Sequence, residues 1–208
     1  MKIERIIVTP VRIEFTEPEF WSQGRREAVT AIVVEVVTDA GIVGVGESVP
    51  APNAQVTLAA IESAAQVLVG ADPRQINRVW QALQSAGWCS FPYAGNAALA
   101  GIEIACWDIA GKAAGVPVHA MLGGAIRDRV PIMGFVQHTT PEGIERDARA
   151  MAAAGYTTLY TKVGFGMERD LAAVEALRRG GGPGVQLRVD PNESWTPGHA
   201  RSEERRVG

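Results

Sequence analysis

Cysteine is scarce: Cys89 and Cys106 are the only two in 208 residues. They stand far apart with no CxxC pair, which excludes a zinc cluster and a disulfide framework, and Cys106 is expected to pack in a helix. Positive charge is not in excess either. The formal net charge is −3, and nucleic-acid binding normally requires a basic face. No stretch reaches the ~18 uncharged apolar residues that a membrane helix needs, and the opening "MKIERIIVTP" lacks the apolar block and small-residue cleavage site of a secretory leader. The cytoplasm is therefore the default location, with neither nucleic acid nor membrane as a partner. Histidine is rare too. His119 and His199 carry no signal, and His138 reads as a polar residue of a loop.

What is present is a hydrophobic content of 47%, enough to bury a core in one or two ordinary domains. "IERIIVTPVRIEF" and "AVTAIVVEVVTDAGIVGVGES" read as three strands, the last two joined by a tight turn at Asp39-Ala40-Gly41. "FTEPEFWSQGRR", residues 15–26, reads as a polar loop between the first two strands. Three helical segments follow. They are "NAQVTLAAIESAAQVLVG" from Asn53, "DPRQINRVWQALQSA" with Asp72 as N-cap and Pro73 in the first helical position, and "AALAGIEIACWDIAGKAAG".

After "LGG" at 122–124 the rhythm changes to short strands alternating with helices. "RVPIMGFVQH" is strand-like. "TPEGIERDARAMAAAG" is helical, with Thr140 as cap and Gly155 as stop; "TTLYTKVG" is a strand, "ERDLAAVEALRRG" a helix and "VQLRVD" a strand. The order β-α-β-α-β is that of a parallel sheet or a (β/α)₈ barrel, whose functional groups gather at the carboxyl ends of the strands. "GGGPG" at 180–184 lacks the Gly-Lys-Ser/Thr of a phosphate loop and reads as a helix stop.

Lys162 and Asp190 both fall at such strand ends. The period of two puts Leu159, Thr161 and Val163 on the face towards the helices, and Tyr160 and Lys162 on the other. Burial disfavours an ammonium and turns a lysine towards a base. An aspartate on the neighbouring strand can hold a hard divalent cation through oxygen. Together they suit removal of a proton next to a carboxylate or carbonyl. The plainer readings are a solvated strand-end lysine and an Asx-turn at Asp190-Pro191-Asn192.

"GIEIACWDIAGKAAGVPVHAMLGG", residues 101–124, resembles the segment that joins the two domains in the mandelate racemase/muconate lactonizing enzyme branch of the enolase superfamily. "YTTLYTKVGFG" is similar to that family's Lys-x-Lys strand, and "VDPNESW" to its Asp-x-Asn strand end. The resemblance implies an α+β capping domain over 1–125, a three-stranded antiparallel sheet plus helices, followed over 126–200 by the truncated start of a modified (β/α)₈ TIM barrel. It implies Mg²⁺, a small carboxylate substrate and an enediolate, in a dehydratase, racemase or cycloisomerase that is homo-oligomeric at full length. By position, Lys162 matches the general base, Asp190 the first metal ligand and Asn192 the companion asparagine beside the substrate. Tyr160 departs from the pattern, standing where the first lysine belongs; a phenol there supplies a hydrogen bond but no charge. The loop at 15–26 matches a lid over the barrel mouth, with Phe20 and Trp21 as its substrate-binding candidates.

Residues 126–200 hold two βα units and one further strand, against about 250 residues for a full barrel. The other metal carboxylates are therefore expected outside this chain, which is expected to be inactive by itself. Its last eight residues, "RSEERRVG" at 201–208, back-translate into a sequencing-library adapter and are expected to be a scar. Two other readings stay open. Lys162 could form a Schiff base in an aldolase-like barrel, which borohydride trapping would reveal, or residues 1–125 could be a non-enzymic packing module.

Overall fold

The computed structural model describes residues 1–90, 92–137, 140–198 and 200–201. His138, His199 and residues 202–208 of the charged tail lie outside the described residues. The chain divides into two compact units. One comprises Met1–Glu14 and Ala28–Asp128; the other comprises Phe15–Glu27 and the chain from Arg129.

A three-stranded sheet has the order β1-β2-β3, with β1 Ile3–Trp21, β2 Gly24–Thr38 and β3 Val43–Ser48; residues 15–21 of β1 and 24–27 of β2 belong to the second unit, the rest to the first. Alternation on β2 sends Ile32, Val34 and Val36 to the buried face. There they meet Ile61 and Leu68 of α1 (Ala54–Leu68), Val79 and Leu83 of α2 (Ile76–Ser85), and Ile102, Cys106 and Ile109 of α3 (Pro92–Ala114). Burying each such side chain stabilises the fold by roughly 1.5–3 kcal/mol. Burial also pushes the Cys106 thiol up to about 12, with Glu103 adding to the shift. α3 lies directly on β3 because that strand is bare. A Cβ on Gly44 would collide with the Ala105 carbonyl oxygen, and one on Gly46 with that of Gly101. Ser48 fills the remaining gap: its hydroxyl accepts from the Gly101 amide at 3.2 Å and donates to the Ala98 carbonyl at 3.4 Å.

Asn53 caps α1 as its residue type predicts, accepting from the Val56 amide at 3.1 Å. Asp72 does not cap α2. Its carboxylate accepts from the Arg74 amide at 3.0 Å and the Arg74 guanidinium at 2.7 Å, closing a turn, and the helix starts only at Ile76, where its buried stripe begins. A single helical turn, α4 (Val118–Met121), carries His119.

The second unit holds the parallel sheet of β4 (Gly134–Val136), β5 (Thr158–Lys162) and β6 (Gln186–Asp190), in that order, with α5 (Pro141–Ala153) and α6 (Met167–Gly181) as its crossovers. β4 is shorter than expected. Only Gly134–Val136 pairs with β5 (Thr158–Lys162), and Pro131 just upstream has no amide to give a ladder. Thr140 caps α5 by accepting from the Gly143 amide at 3.3 Å, and Gly155 follows at φ +95°. Val136, Leu159, Ile144, Ala148, Ala173 and Leu177 form the core between sheet and helices. α6 stops at Gly181, with Gly182 in the left-handed region.

The stretch read as a loop at 15–26 is instead the far part of the β1–β2 ribbon, turning only at Ser22-Gln23. Pro18 is tolerated because β1 is an edge strand. No helix among the described residues is long and apolar enough to cross a membrane.

Candidate active site

Parallel pairing of β5 with β6 (Gln186–Asp190) sets Lys162 opposite Asp190 at the carboxyl ends of the two strands. The Val163 amide donates to the Asp190 carbonyl at 3.0 Å and locks that register at the last residue. Lys162 is 8% exposed, and its Nζ donates to Asp190 Oδ2 at 2.7 Å. The Asp190 side chain is 40% exposed, and its Oδ1 accepts from the Asn192 amide at 3.0 Å. The Asx-turn and the lysine contact therefore coexist. The Lys162 ammonium holds the Asp190 carboxyl below its ordinary value. The Asn192 amide and the charge of Arg188 add to this, and partial burial opposes it.

Tyr160 shares the face of Lys162. Its ring centre lies 4.8 Å from that of Phe135 and 5.7 Å from Lys162 Nζ. The lysine thus has an aromatic face beside it where the family pattern has a second cation.

The turn after β5 is held by a residue that periodicity alone did not reveal. Asp170, buried in the first turn of α6, accepts from the amides of Gly164 at 2.9 Å and Phe165 at 3.1 Å. Gly164 itself has φ +95°, and a Cβ there would strike the Ser194 hydroxyl. After β6, Asn192 and Glu193 follow at φ 46° and 66°. Asparagine takes this region readily, whereas a glutamate there costs on the order of 1 kcal/mol.

The ribbon tip seats on these strand ends within the same unit. Ser22 Oγ donates to the Pro191 carbonyl at 2.9 Å, Gln23 Nε2 to that of Asn192 at 2.9 Å, and Gln137 Nε2, just past β4, to that of Pro18. A pocket of about 230 Å³ is lined by Glu19, Trp21, Arg26, Lys162 and Asn192. Trp21 therefore joins Lys162 and Asn192. Phe20 does not line it and faces Arg25, whose guanidinium carbon is 5.9 Å from its ring centre. Among the described residues, two buried oxygens, Asn192 Oδ1 and Gln137 Oε1, have no hydrogen-bond partner.

Magnesium requires about six oxygen ligands in near-octahedral geometry. Asp190 and the unpartnered Asn192 Oδ1 are hard oxygen donors of the right kind, but no group of three His, Cys, Asp or Glu gathers among the described residues. Asp190 fits as one ligand, and the described residues do not complete a metal centre.

Glu19, Arg26, Gln137 and Asp170 were not singled out from the sequence. No local signal marks the first two, because the odd positions Phe15, Glu17, Glu19 and Trp21 mix apolar and charged side chains and show no period of two.

The fold thus pairs a buried lysine with an aspartate at adjacent parallel strand ends, beside a pocket under the β-ribbon. Residues 2–123 match the family model of the mandelate racemase / muconate lactonizing enzyme N-terminal domain, and residues 143–207 match the enolase C-terminal domain-like model. The chain belongs to the mandelate racemase/muconate lactonizing enzyme family of the enolase superfamily. It is 30% identical to the N-succinyl-L-Arg/Lys racemase of Bacillus cereus over 94% of this chain and 53% of that protein. It is 34% identical to the cis-3-hydroxy-L-proline dehydratase of Roseibium aggregatum over 94% of this chain and 54% of that protein. The crystal structure of the dipeptide epimerase of Enterococcus faecalis complexed with Mg and L-Leu-L-Tyr superimposes with a TM-score of 0.90 at 30% identity, covering 100% of this chain and 58% of that one. The chain spans about half the length of the curated relatives it matches. Those relatives include racemases, epimerases, dehydratases and a cycloisomerase.

Proposed function

We propose that the whole protein removes the proton α to the carboxylate of a small substrate, with Lys162 as the base, in a racemisation, epimerisation, dehydration or cycloisomerisation. The observation that carries this reading is the Lys162 Nζ, 2.7 Å from Asp190 Oδ2 at the mouth of adjacent strands and facing the pocket. In the proton step the α C–H bond breaks, its electron pair moves into the carboxylate to leave an enediolate, and the proton forms a new N–H bond on Lys162. Only the neutral amine has the lone pair for this, and its lone pair must point into the pocket. Asp190 would be one oxygen ligand of Mg²⁺, with the remaining carboxylates on strands beyond those described; bound magnesium supplies positive charge beside the substrate carboxylate.

Asn192 Oδ1 would accept from a substrate N–H or O–H, and Tyr160 would keep the lysine's flank dry and aromatic. We assign the full-length protein to the cytoplasm as a homo-oligomer that binds neither nucleic acid nor membrane. The test is exchange of the substrate α-hydrogen in deuterated water by the full-length protein. Lys162→Ala should abolish exchange and leave Mg²⁺ affinity nearly unchanged, whereas Asp190→Ala should weaken the metal. Parent-rate exchange by the lysine variant would reject the role given to Lys162.

A further inference from the structure

Lys162 is the last residue of β5, so the turn that follows sets where its side chain can reach. The three amides of that turn are all taken. Val163 donates to the Asp190 carbonyl at 3.0 Å, while Gly164 and Phe165 donate to the two carboxylate oxygens of Asp170, Oδ2 at 2.9 Å and Oδ1 at 3.1 Å. One side of the turn is thus held by β6 and the other by α6.

That carboxylate does not serve its own helix. α6 is capped at Gly166, which has no side chain to offer, and Asp170 gives its amide to the Gly166 carbonyl at 2.9 Å as any helical residue does. The carboxylate turns back past the helix start to two amides that lie outside it. Burying a carboxylate is costly unless donors answer it, and Asp170 is only 3% exposed. Here the donors are consecutive backbone amides. Such charge-assisted bonds are about twice as strong as neutral ones, and the N-terminal end of the helix dipole adds to them.

On its other side the turn presses against the end of β6. Gly164 has φ +95°, and a Cβ there would strike the Ser194 hydroxyl and lie 3.1 Å from the Pro191 carbonyl oxygen. Pro191 follows Asp190 directly, and its carbonyl also accepts from the Ser194 amide at 3.1 Å. The ends of β5 and β6, which carry Lys162 and Asp190, therefore meet in one turn whose anchor is Asp170. Proton removal needs its base held within about 0.5 Å of the productive position. The flexible stem of a lysine does not supply that precision by itself, so its backbone must.

We propose that Asp170 is a positioning residue for proton removal: by holding the Gly164 and Phe165 amides it fixes the strand end from which Lys162 reaches the pocket. This rests on the reading of Lys162 as the base. Asp170 acts through the main chain of residues 163–165 and not on the substrate.

The experiment is competitive labelling of the full-length protein with a trace of acetic anhydride, read by mass spectrometry as acetylation of Lys162 relative to Lys112. Lys112 lies in the first unit with a half-exposed side chain and is the internal reference. Asp170→Ala removes both acceptors. Asp170→Asn keeps the volume and one oxygen but turns an NH₂ donor against an amide, so it loses one of the two bonds. Lys162 should be acetylated about tenfold faster in Asp170→Ala than in the parent, with Asp170→Asn between the two and Lys112 unchanged. The urea midpoint reports whether each variant is folded, and if Asp170→Ala is not, Asp170→Asn decides alone. Parent-like labelling of Lys162 in folded Asp170→Asn would show that the residue only fills space, and an equal rise at Lys112 would show a general loosening; either overturns the proposal. Labelling needs no substrate, so it is read whether or not Lys162 is the base. Faster labelling together with parent-rate exchange by Lys162→Ala keeps Asp170 as the anchor of the strand end and removes the proton-transfer reading. Parent-like labelling with exchange lost in Lys162→Ala does the reverse.

Discussion

The Ser22 hydroxyl, at the turn of the first ribbon, donates to the carbonyl of Pro191 at 2.9 Å. Gln23 repeats the contact one residue on, at the Asn192 carbonyl. Each bond should contribute about 1 kcal/mol. The Ser22→Ala/Gln23→Ala variant is therefore expected to raise amide hydrogen exchange across 15–27 by roughly tenfold or more, leaving the β2–β3 amides unchanged. Equal protection in parent and variant would show that the tip is held by something else.

The Lys162–Asp190 contact should be asymmetric in stability. Lys162 is 8% exposed and Asp190 40%. Asp190→Ala strands a buried ammonium, with an expected loss of about 1–3 kcal/mol in urea unfolding. Lys162→Met leaves a carboxylate that water can reach, and should cost less than about 1 kcal/mol. The opposite order would count against the burial argument.

Gly46→Ala should cost at least about 1–3 kcal/mol, because its methyl meets the Gly101 carbonyl oxygen and α3 must lift from β3. The urea midpoint is the measurement, and an unchanged midpoint would show that the helix can shift freely.

The Arg74 guanidinium that binds Asp72 holds its carboxyl down to about 2, against some burial and with help from the Arg74 amide. The folded value lies below the unfolded one, so the contribution is fully present above about pH 4 and is lost as pH falls through about 2. Asp72→Asn is expected to lower the thermal midpoint at pH 6 and to match the parent near pH 2. A difference that persists at pH 2 would point to a cause other than charge.

Residues 1–208 alone are expected to bind Mg²⁺ no more tightly than the millimolar range, since Asp190 is one hard ligand among the about six required, and to show no α-hydrogen exchange. Micromolar binding by calorimetry would mean that the described residues hold a site after all.

Much of this was legible because the signals are local. Thr140 is a side chain whose own backbone neighbour it caps, and Gly155 marks the stop of α5. Lys162 and Asp190 could be placed at strand ends because each follows an alternating run. Their closeness is non-local, and only the β5–β6 register shows it. Asp72 misled because a short acidic residue before proline suits a turn as well as a helix cap, and here the nearby Arg74 decided for the turn. The polar ribbon at 15–26 read as loop because Pro18 and the charged residues around it leave no alternation of apolar and polar side chains; what makes it a strand is the edge position in the sheet. The Glu19–Arg26 ion pair was out of reach for the same reason, since it exists only once the two ribbon strands are paired.

The ribbon also sets a timetable for synthesis. Ser22 and its acceptor are 169 residues apart, so at ribosomal speeds the tip is made roughly 8 to 34 seconds before Pro191. Through that interval Phe15, Trp21 and an open strand edge have no Pro191 or Asn192 carbonyl for the tip to settle on. That makes this early segment a natural place for a chaperone to hold.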